Sequence, residues 1–360
     1  MPKIDNNKIS EQDNIYYNII FNHRPEDLDA PSKAEYNTTN TLIILDNPND
    51  YYCSVIRFVI PLDNIPLFIF PIVPNQGNPN LSTLVVGISY NNNNYFQNII
   101  YSPDNNFAPP IQNQLQQVIT PYYYVYSYQN LITAINTALL AQFNIFVAAN
   151  PGAPQAGNPA PYFYYNSSTQ LITLVTHQSW ATTGPTQALI YMNNSLATFL
   201  DAFQTFFYGY NQLNDKDYSF NITNNGNNLS GSNLSFTQEY NVINYWSSLR
   251  KIVITTLSIP IISEYILSQN NNNTNQLPII TDFIPIISNA GENRSIVYYN
   301  PTSQYRLVNM ISSSSLKKID MYLYWQDLSG NLYPIYISRN QQASVKLAFF
   351  RKSLYKKLNL

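Results

Sequence analysis

SVIRFVIPLDNIPLFIFPIV, residues 54–73, is the most apolar stretch of the chain. It has the length of a bilayer helix. Arg57, Asp63 and the prolines at 61, 66 and 71 argue against one, because hydrocarbon offers no partner to a charge or to a carbonyl freed by proline. Val55, Ile56, Phe58, Val59 and Ile60 are instead the β-branched and aromatic residues that fit a pleated sheet. The stretch reads as two strands joined across residues 61–66.

Strand signals continue on both sides, punctuated by Asn, Pro, Asp and Gly. They cover residues 41–45, 51–60, 67–73 and 83–90, with a turn at Asn47-Pro48-Asn49-Asp50 and a polar tip at residues 91–94. Residues 127–143, SYQNLITAINTALLAQF, read as a helix. Ser127 can cap it, and Leu131, Ile132, Ile135, Leu139 and Phe143 share one face. A Pro/Gly/Ala loop follows at 148–161, then strands at 161–166 and 171–177. A second helix is expected at 195–206, with Leu196, Phe199, Leu200 and Phe203 inward, and an Asn/Ser-rich loop at 212–236. Strands return at 248–256, 277–287, 295–299, 305–310, 318–325, 332–337 and 344–350.

This order predicts a mainly β chain. Residues 36–125 and 237–355 would supply a jelly-roll β-sandwich, and 126–236 an inserted α+β subdomain. Residues 1–35 read as an extended polar N-terminal arm, and 356–360 as a basic C-terminal tail. Residues 52–61 (YCSVIRFVIP) echo 246–254 (WSSLRKIVI) followed by Ile259-Pro260. The echo reads either as a duplicated jelly roll or as two similar core strands.

Composition bears on function. Only 11% of the 360 residues are charged, against about a quarter in an ordinary domain. There are 31 Tyr, 18 Phe and 23 Pro, but 10 Gly and 2 His. So few surface charges predict poor solubility for a lone monomer, which is tolerable if neighbours cover the surface. The net charge of −2 does not suit a nucleic-acid wrapper. The N-terminal segment MPKIDNNKISEQDN lacks an apolar signal core, so the nine Asn-x-Ser/Thr sequons are expected to be unused.

Catalytic groups are scarce. His23 and His177 are the available near-neutral bases, and no Gly-x-Ser-x-Gly elbow accompanies either. Cys53 is the single cysteine, has no Cys or His at ligand spacing, and reads as a core thiol. Glu26, Asp27 and Asp29 cluster with Arg24, as a cation site or as a solvated charge cluster. Asp282, Asp320 and Asp327 lie in or beside strands, where a carboxylate-pair hydrolase could be hidden. No Gly-rich phosphate loop exists. The expectation is therefore no catalytic, cofactor-binding or metal site, and no cofactor.

Binding groups are more plentiful. Lys346, Arg351, Lys352, Lys356 and Lys357 interleave with Phe349, Phe350 and Tyr355 at the C-terminal end, as a grip on an acidic neighbour or a small nucleic-acid footprint. Aromatic runs occur at Tyr122-Tyr123-Tyr124 with Tyr126 and Tyr128, at Tyr162 to Tyr165, and at Phe206-Phe207-Tyr208 with Tyr210. They read as protein interfaces, as glycan platforms, or as strand alternation with one buried face. Arg57 and Arg250 interrupt apolar strands; if buried they need acidic or carbonyl partners, and Ala there should lower the yield of folded protein.

AEYNTTNTLIILDNPNDYYCSVIRFVIPLDNIPLF, residues 34–68, resembles the opening of vertex (penton) or minor capsid proteins of virophages, polinton-like viruses and related small double-stranded DNA viruses. Later pieces fit the same pattern: WSSLRKIVITTLSIPIISE (246–264), TDFIPIIS (281–288), SIVYYNPTSQYRLVNM (295–310), KKIDMYLYWQD (317–327) and SVKLAFFRK (344–352). The resemblance implies a jelly-roll subunit of the virion, assembled inside the host cell, that forms pentamers at icosahedral vertices and contacts the major capsid protein. It carries no catalytic residues. Three other readings stand beside it: another minor or major jelly-roll capsid protein, a receptor- or glycan-binding module built on 126–236, and a polysaccharide-cleaving enzyme.

Overall fold

The computed structural model describes residues 14–22, 33–37, 43–62, 65, 67–71, 81–100, 122–125, 128–181, 184, 187–207, 218–242, 246, 249–262, 264–267, 276–285, 296–300, 306–328, 330, 332–337 and 340–353. The chain divides into two compact units, one of Met1–Ile65, Leu249–Ile286 and Arg294–Leu360, the other of Pro66–Ser248 and Ile287–Asn293. The first unit opens with β1 (Asn14–Asn22), β2 (Lys33–Asn37) and β3 (Tyr51–Pro61). The second holds β4 (Phe68–Pro71), β5 (Leu81–Tyr90), β6 (Asn93–Ile100), β7 (Tyr122–Val125), α1 (Tyr128–Ala149), β8 (Tyr162–Asn166), β9 (Leu171–His177), β10 (Leu189–Met192), the one-turn α2 (Asn194–Ala197), β11 (Thr205–Phe207), β12 (Tyr218–Phe220), β13 (Leu229–Ser230) and β14 (Asn233–Thr237). The chain returns to the first unit for β15 (Leu249–Thr255), β16 (Ile261–Ile262), β17 (Tyr265–Leu267), β18 (Gln276–Phe283), β19 (Ile296–Tyr299), β20 (Val308–Met310), β21 (Lys318–Asp327), β22 (Leu332–Pro334) and β23 (Gln342–Arg351).

The first unit is a β-sandwich of two antiparallel sheets. One runs β1-β23-β3-β20-β16, with β19 also on β3; the other runs β17-β18-β15-β21-β2, with β22 on β21. Alternation explains the layering. β21 buries Ile319, Met321, Leu323 and Trp325, and β23 buries Ala343, Val345, Leu347 and Phe349. Phe58 of β3 lies 5.3 Å from Phe283 of β18 and stacks at 5.0 Å on Tyr299 of β19, so one aromatic group joins the sheets. The two echoing stretches become β3 and β15, the middle strands of the two sheets.

The N-terminal arm needs a qualification. Its described parts are strands built into the sandwich. β1 pairs along all nine residues with β23, and β2 pairs with β21. Ile19 and Phe21 are buried. Residues 1–13 and 356–360 lie outside the described residues. The strand expected at 41–45 is reduced, over its described residues, to a single bridge, Leu45 to Leu316.

The second unit has a five-stranded sheet, β11-β12-β10-β5-β6, a four-stranded sheet, β13-β14-β9-β8, and the ladder β4-β7. α1 packs on β5, β6 and β8. Leu131, Ile132, Ile135, Leu139 and Phe143 are buried as their spacing predicts, and the same face continues to Phe146. The helix stops where Asn150 donates both its N–H and its Nδ2 to the Phe146 carbonyl, each at 2.9 Å, and Pro151 follows with no donor. By length and composition α1 could cross a membrane, but its buried face belongs to this unit's core. Trp180 and Trp246 complete that core.

Three expectations change here. β5 and β6 pair with each other and β5 with β10, so residues 81–100 belong to the second unit and the insertion is larger than 126–236. The helix expected at 195–206 is one turn long. The chain leaves it through Ala202 at φ +71°, and Thr205–Phe207 is a strand. The loop expected at 212–236 contains β12 and the hairpin β13-β14, turned at Gly231 with φ +60°; residues 211–217 lie outside the described residues.

Candidate functional site

The residues expected to carry chemistry are dispersed and engaged in structure. Cys53 sits inside β3 with no exposure, and burial pushes its thiol far above the ordinary range. His177 Nδ1 pairs with Ser179 Oγ at 3.0 Å and accepts the Ser179 N–H at 3.1 Å. Asp282 bonds Lys251 and Arg306, each at 2.9 Å. Asp327 accepts from the Tyr333 hydroxyl at 3.2 Å.

Asp320 is 4% exposed. Its Oδ1 accepts from Thr256 Oγ1, Leu257 N and Ser258 N at 2.8 Å and from Ser258 Oγ at 2.9 Å, while its own N–H donates to Ser258 Oγ. It is the clasp of the turn after β15. Asp320 and Asp327 share one strand seven residues apart, about 23 Å at ~3.3 Å per residue, too far for a carboxylate pair. Among the described residues no three His, Cys, Asp or Glu side chains gather as a metal site. His23 and the Arg24, Glu26, Asp27, Asp29 cluster lie outside the described residues.

The binding candidates are sorted by the fold. In β8, Phe163 and Tyr165 are buried while Tyr162 and Tyr164 point to solvent, which is plain strand alternation. Phe206 and Phe207 are exposed on β11, and Tyr128 is buried. Side chains of Tyr122 to Tyr124, and Tyr126, Tyr208 and Tyr210 altogether, lie outside the described residues. Lys352 donates to the carbonyls of Asn49, at 2.8 Å, and Met310, and its ammonium lies 5.3 Å from the Tyr52 ring, so it is fixed to the sandwich. Arg57 and Arg250 are both exposed, so the condition under which they would need acidic or carbonyl partners does not arise, and the lower yield expected of their Ala variants loses its ground.

One extended surface remains, the outer face of the sheet built from β1, β23, β3 and β19. Ile20 lies opposite Ser344, Ser344 opposite Val59, and Val59 opposite Tyr298, so these four form one row across four strands. Ile20 is 51% and Tyr298 68% exposed. The next row is Asn18, Lys346 and Arg57, and the Lys346 ammonium lies 5.2 Å from the Tyr16 ring. Exposed Tyr16 and Ile296 extend the apolar part. Among the described residues no strand pairs with the free edge of β1. A face with aromatic, aliphatic and Arg side chains beside an open edge has the make-up of a protein contact surface. Sequence reading took this strand for a polar arm because Asn14, Asn18 and Asn22 space it; the inward residues Ile15, Tyr17, Ile19 and Phe21 were the signal for a strand.

A profile described as Sputnik minor capsid protein V18/19 matches residues 15–352, nearly the whole chain. The chain belongs to this minor capsid protein family. Within the family's virus, structural protein V19 of Sputnik virophage is 31% identical over 210 residues, 54% of this chain and 96% of V19. Protein V18 of the same virophage is 35% identical over 162 residues, 43% of this chain and 93% of V18. A chain in the cryo-EM structure of the Sputnik virophage superimposes with a TM-score of 0.78 at 32% identity, covering 96% of this chain and 99% of that one. The mavirus penton protein shares the fold, with a TM-score of 0.63 at 16% identity over 94% of this chain and 99% of its own. The protein is thus a jelly-roll structural component of a virophage-type virion.

Proposed function

We propose that this protein is the vertex subunit of an icosahedral capsid, that five copies associate through the sandwich, and that the ring contacts the major capsid protein. The family match over residues 15–352 carries this reading, and the fold shared with a penton protein supports the vertex position. The protein works without catalysis, by burying apolar surface between copies at about 25 cal/mol per Å². The row Ile20, Val59 and Tyr298 supplies that surface, and Arg57 and Lys346 set its orientation through charge.

Sedimentation of the wild type against Ile20→Glu with Tyr298→Glu tests the assignment of the surface. Both side chains are exposed, so the fold should survive the change. The wild type should sediment as an oligomer and the double variant as a monomer. An unchanged oligomer in the folded variant would remove this face from the interface.

A further inference from the structure

The second unit contains a cavity that the vertex role does not use. Its volume is about 370 Å³, inside the ~300–1,000 Å³ range of small-molecule sites. Met192, Leu200 and Phe203 make its apolar lining, and Asn194, Asp201 and Tyr218 bring polar groups to it. Exposed aromatic rings flank it. Phe207 lies 5.3 Å from the Tyr218 ring, and the Tyr240 hydroxyl reaches Asp201 Oδ2 at 3.4 Å.

The wall is held in place from behind. Buried Asn193 accepts from Leu196 N and Val85 N, both at 3.1 Å, and donates to the Thr83 carbonyl at 2.8 Å, which ties α2 to β5. Buried Gln238 donates to the Asp201 carbonyl at 2.7 Å and accepts from Ile172 N at 2.8 Å, which ties the Asp201 turn to β9. Ala202 is in the left-handed region at φ +71°, its N–H donating to Asp201 Oδ1 at 2.8 Å and its carbonyl accepting from Glu239 N at 3.1 Å. A non-glycine residue is kept there only where its surroundings over-determine it, and such strain gathers at binding sites.

We infer that this cavity binds a neutral pyranose sugar. A sugar ring combines an apolar C–H face with a rim of hydroxyl donors. The exposed Phe207 ring beside Tyr218 suits the first, and the Asp201 carboxylate suits the second. Asp201 makes the lining acidic, and none of the described lining residues is a cation. Sialic and uronic acids are therefore repelled, while neutral hexoses and N-acetylhexosamines are accepted. This inference stands apart from the vertex reading, since it concerns the second unit alone.

Saturation-transfer NMR on the full-length protein tests it, with glucose, galactose, mannose and N-acetylglucosamine against sialic acid and glucuronic acid. At least one neutral sugar should show transfer and the two acids none. Asp201→Ala should weaken that binding about tenfold, the equivalent of one lost charge-assisted hydrogen bond. Thr198→Trp at an exposed wall position should fill the cavity and abolish binding, independently of how Asp201→Ala folds. Transfer to none of the neutral sugars, equal transfer to the acids, or binding undiminished in Thr198→Trp would overturn the proposal.

Discussion

Asp320→Ala separates a structural carboxylate from a catalytic one. Asp320 Oδ1 gathers two hydroxyls and the two backbone N–H groups of Leu257 and Ser258. The hydroxyls can turn to other acceptors, but the N–H groups are fixed by the turn. An unsatisfied buried N–H costs about 1–3 kcal/mol, so two cost about 2–6. The Leu257 side chain is 61% exposed, so water reaches that end of the turn and the expected loss is nearer ~3 kcal/mol. At a urea slope of ~1–3 kcal/mol per M this lowers the unfolding midpoint of the first unit by roughly 1 M or more. Asp320→Asn keeps an acceptor of the same shape and loses only charge assistance, so about 1 kcal/mol is expected. Urea-dependent hydrogen exchange of peptides covering β15 and β21 reads this unit separately from the other. Wild-type stability in Asp320→Ala, or an equal loss in Asp320→Asn, would refute the clasp.

Trp246→Phe should destabilise the second unit by about 1–2 kcal/mol more than Trp180→Phe in calorimetry. Trp246 Nε1 donates to the Phe199 carbonyl at 2.8 Å, whereas the buried Trp180 Nε1 has no partner among the described residues. Gly87→Ala should cost about 3 kcal/mol or more by overpacking, visible as a lower melting temperature, because a Cβ there would meet the Tyr95 carbonyl oxygen at 2.6 Å and the Tyr191 ring at 2.7 Å. Arg57→Ala and Arg250→Ala should each leave the yield of folded protein unchanged on gel filtration, since both side chains are exposed.

What the sequence disclosed follows from how local each signal is. The strands read at 51–60, 318–325 and 344–350 are observed as Tyr51–Pro61, Lys318–Asp327 and Gln342–Arg351, because dense β-branched and aromatic residues leave little choice locally. α1 was visible through its period, and its end was misjudged because Asn144 and Ile145 hide Phe146, the next residue on the buried face. Sheet membership was not legible. β5 looks like any sandwich strand, and its partner β10 arrives about 100 residues later. The outer face was not legible either, since Ile20, Val59 and Tyr298 become one row only through three separate strand registers. The scarcity of charge was legible from composition, and the structure gives its remaining charges work: Asp320 clasps a turn, Lys352 pins a strand end, and Asp282 joins Lys251 to Arg306.

Negative-stain electron microscopy of the purified protein tests the vertex assignment most directly. Class averages should show closed five-fold rings of the chain. Three-fold particles, or monomers at concentrations where the wild type is fully folded, would contradict it.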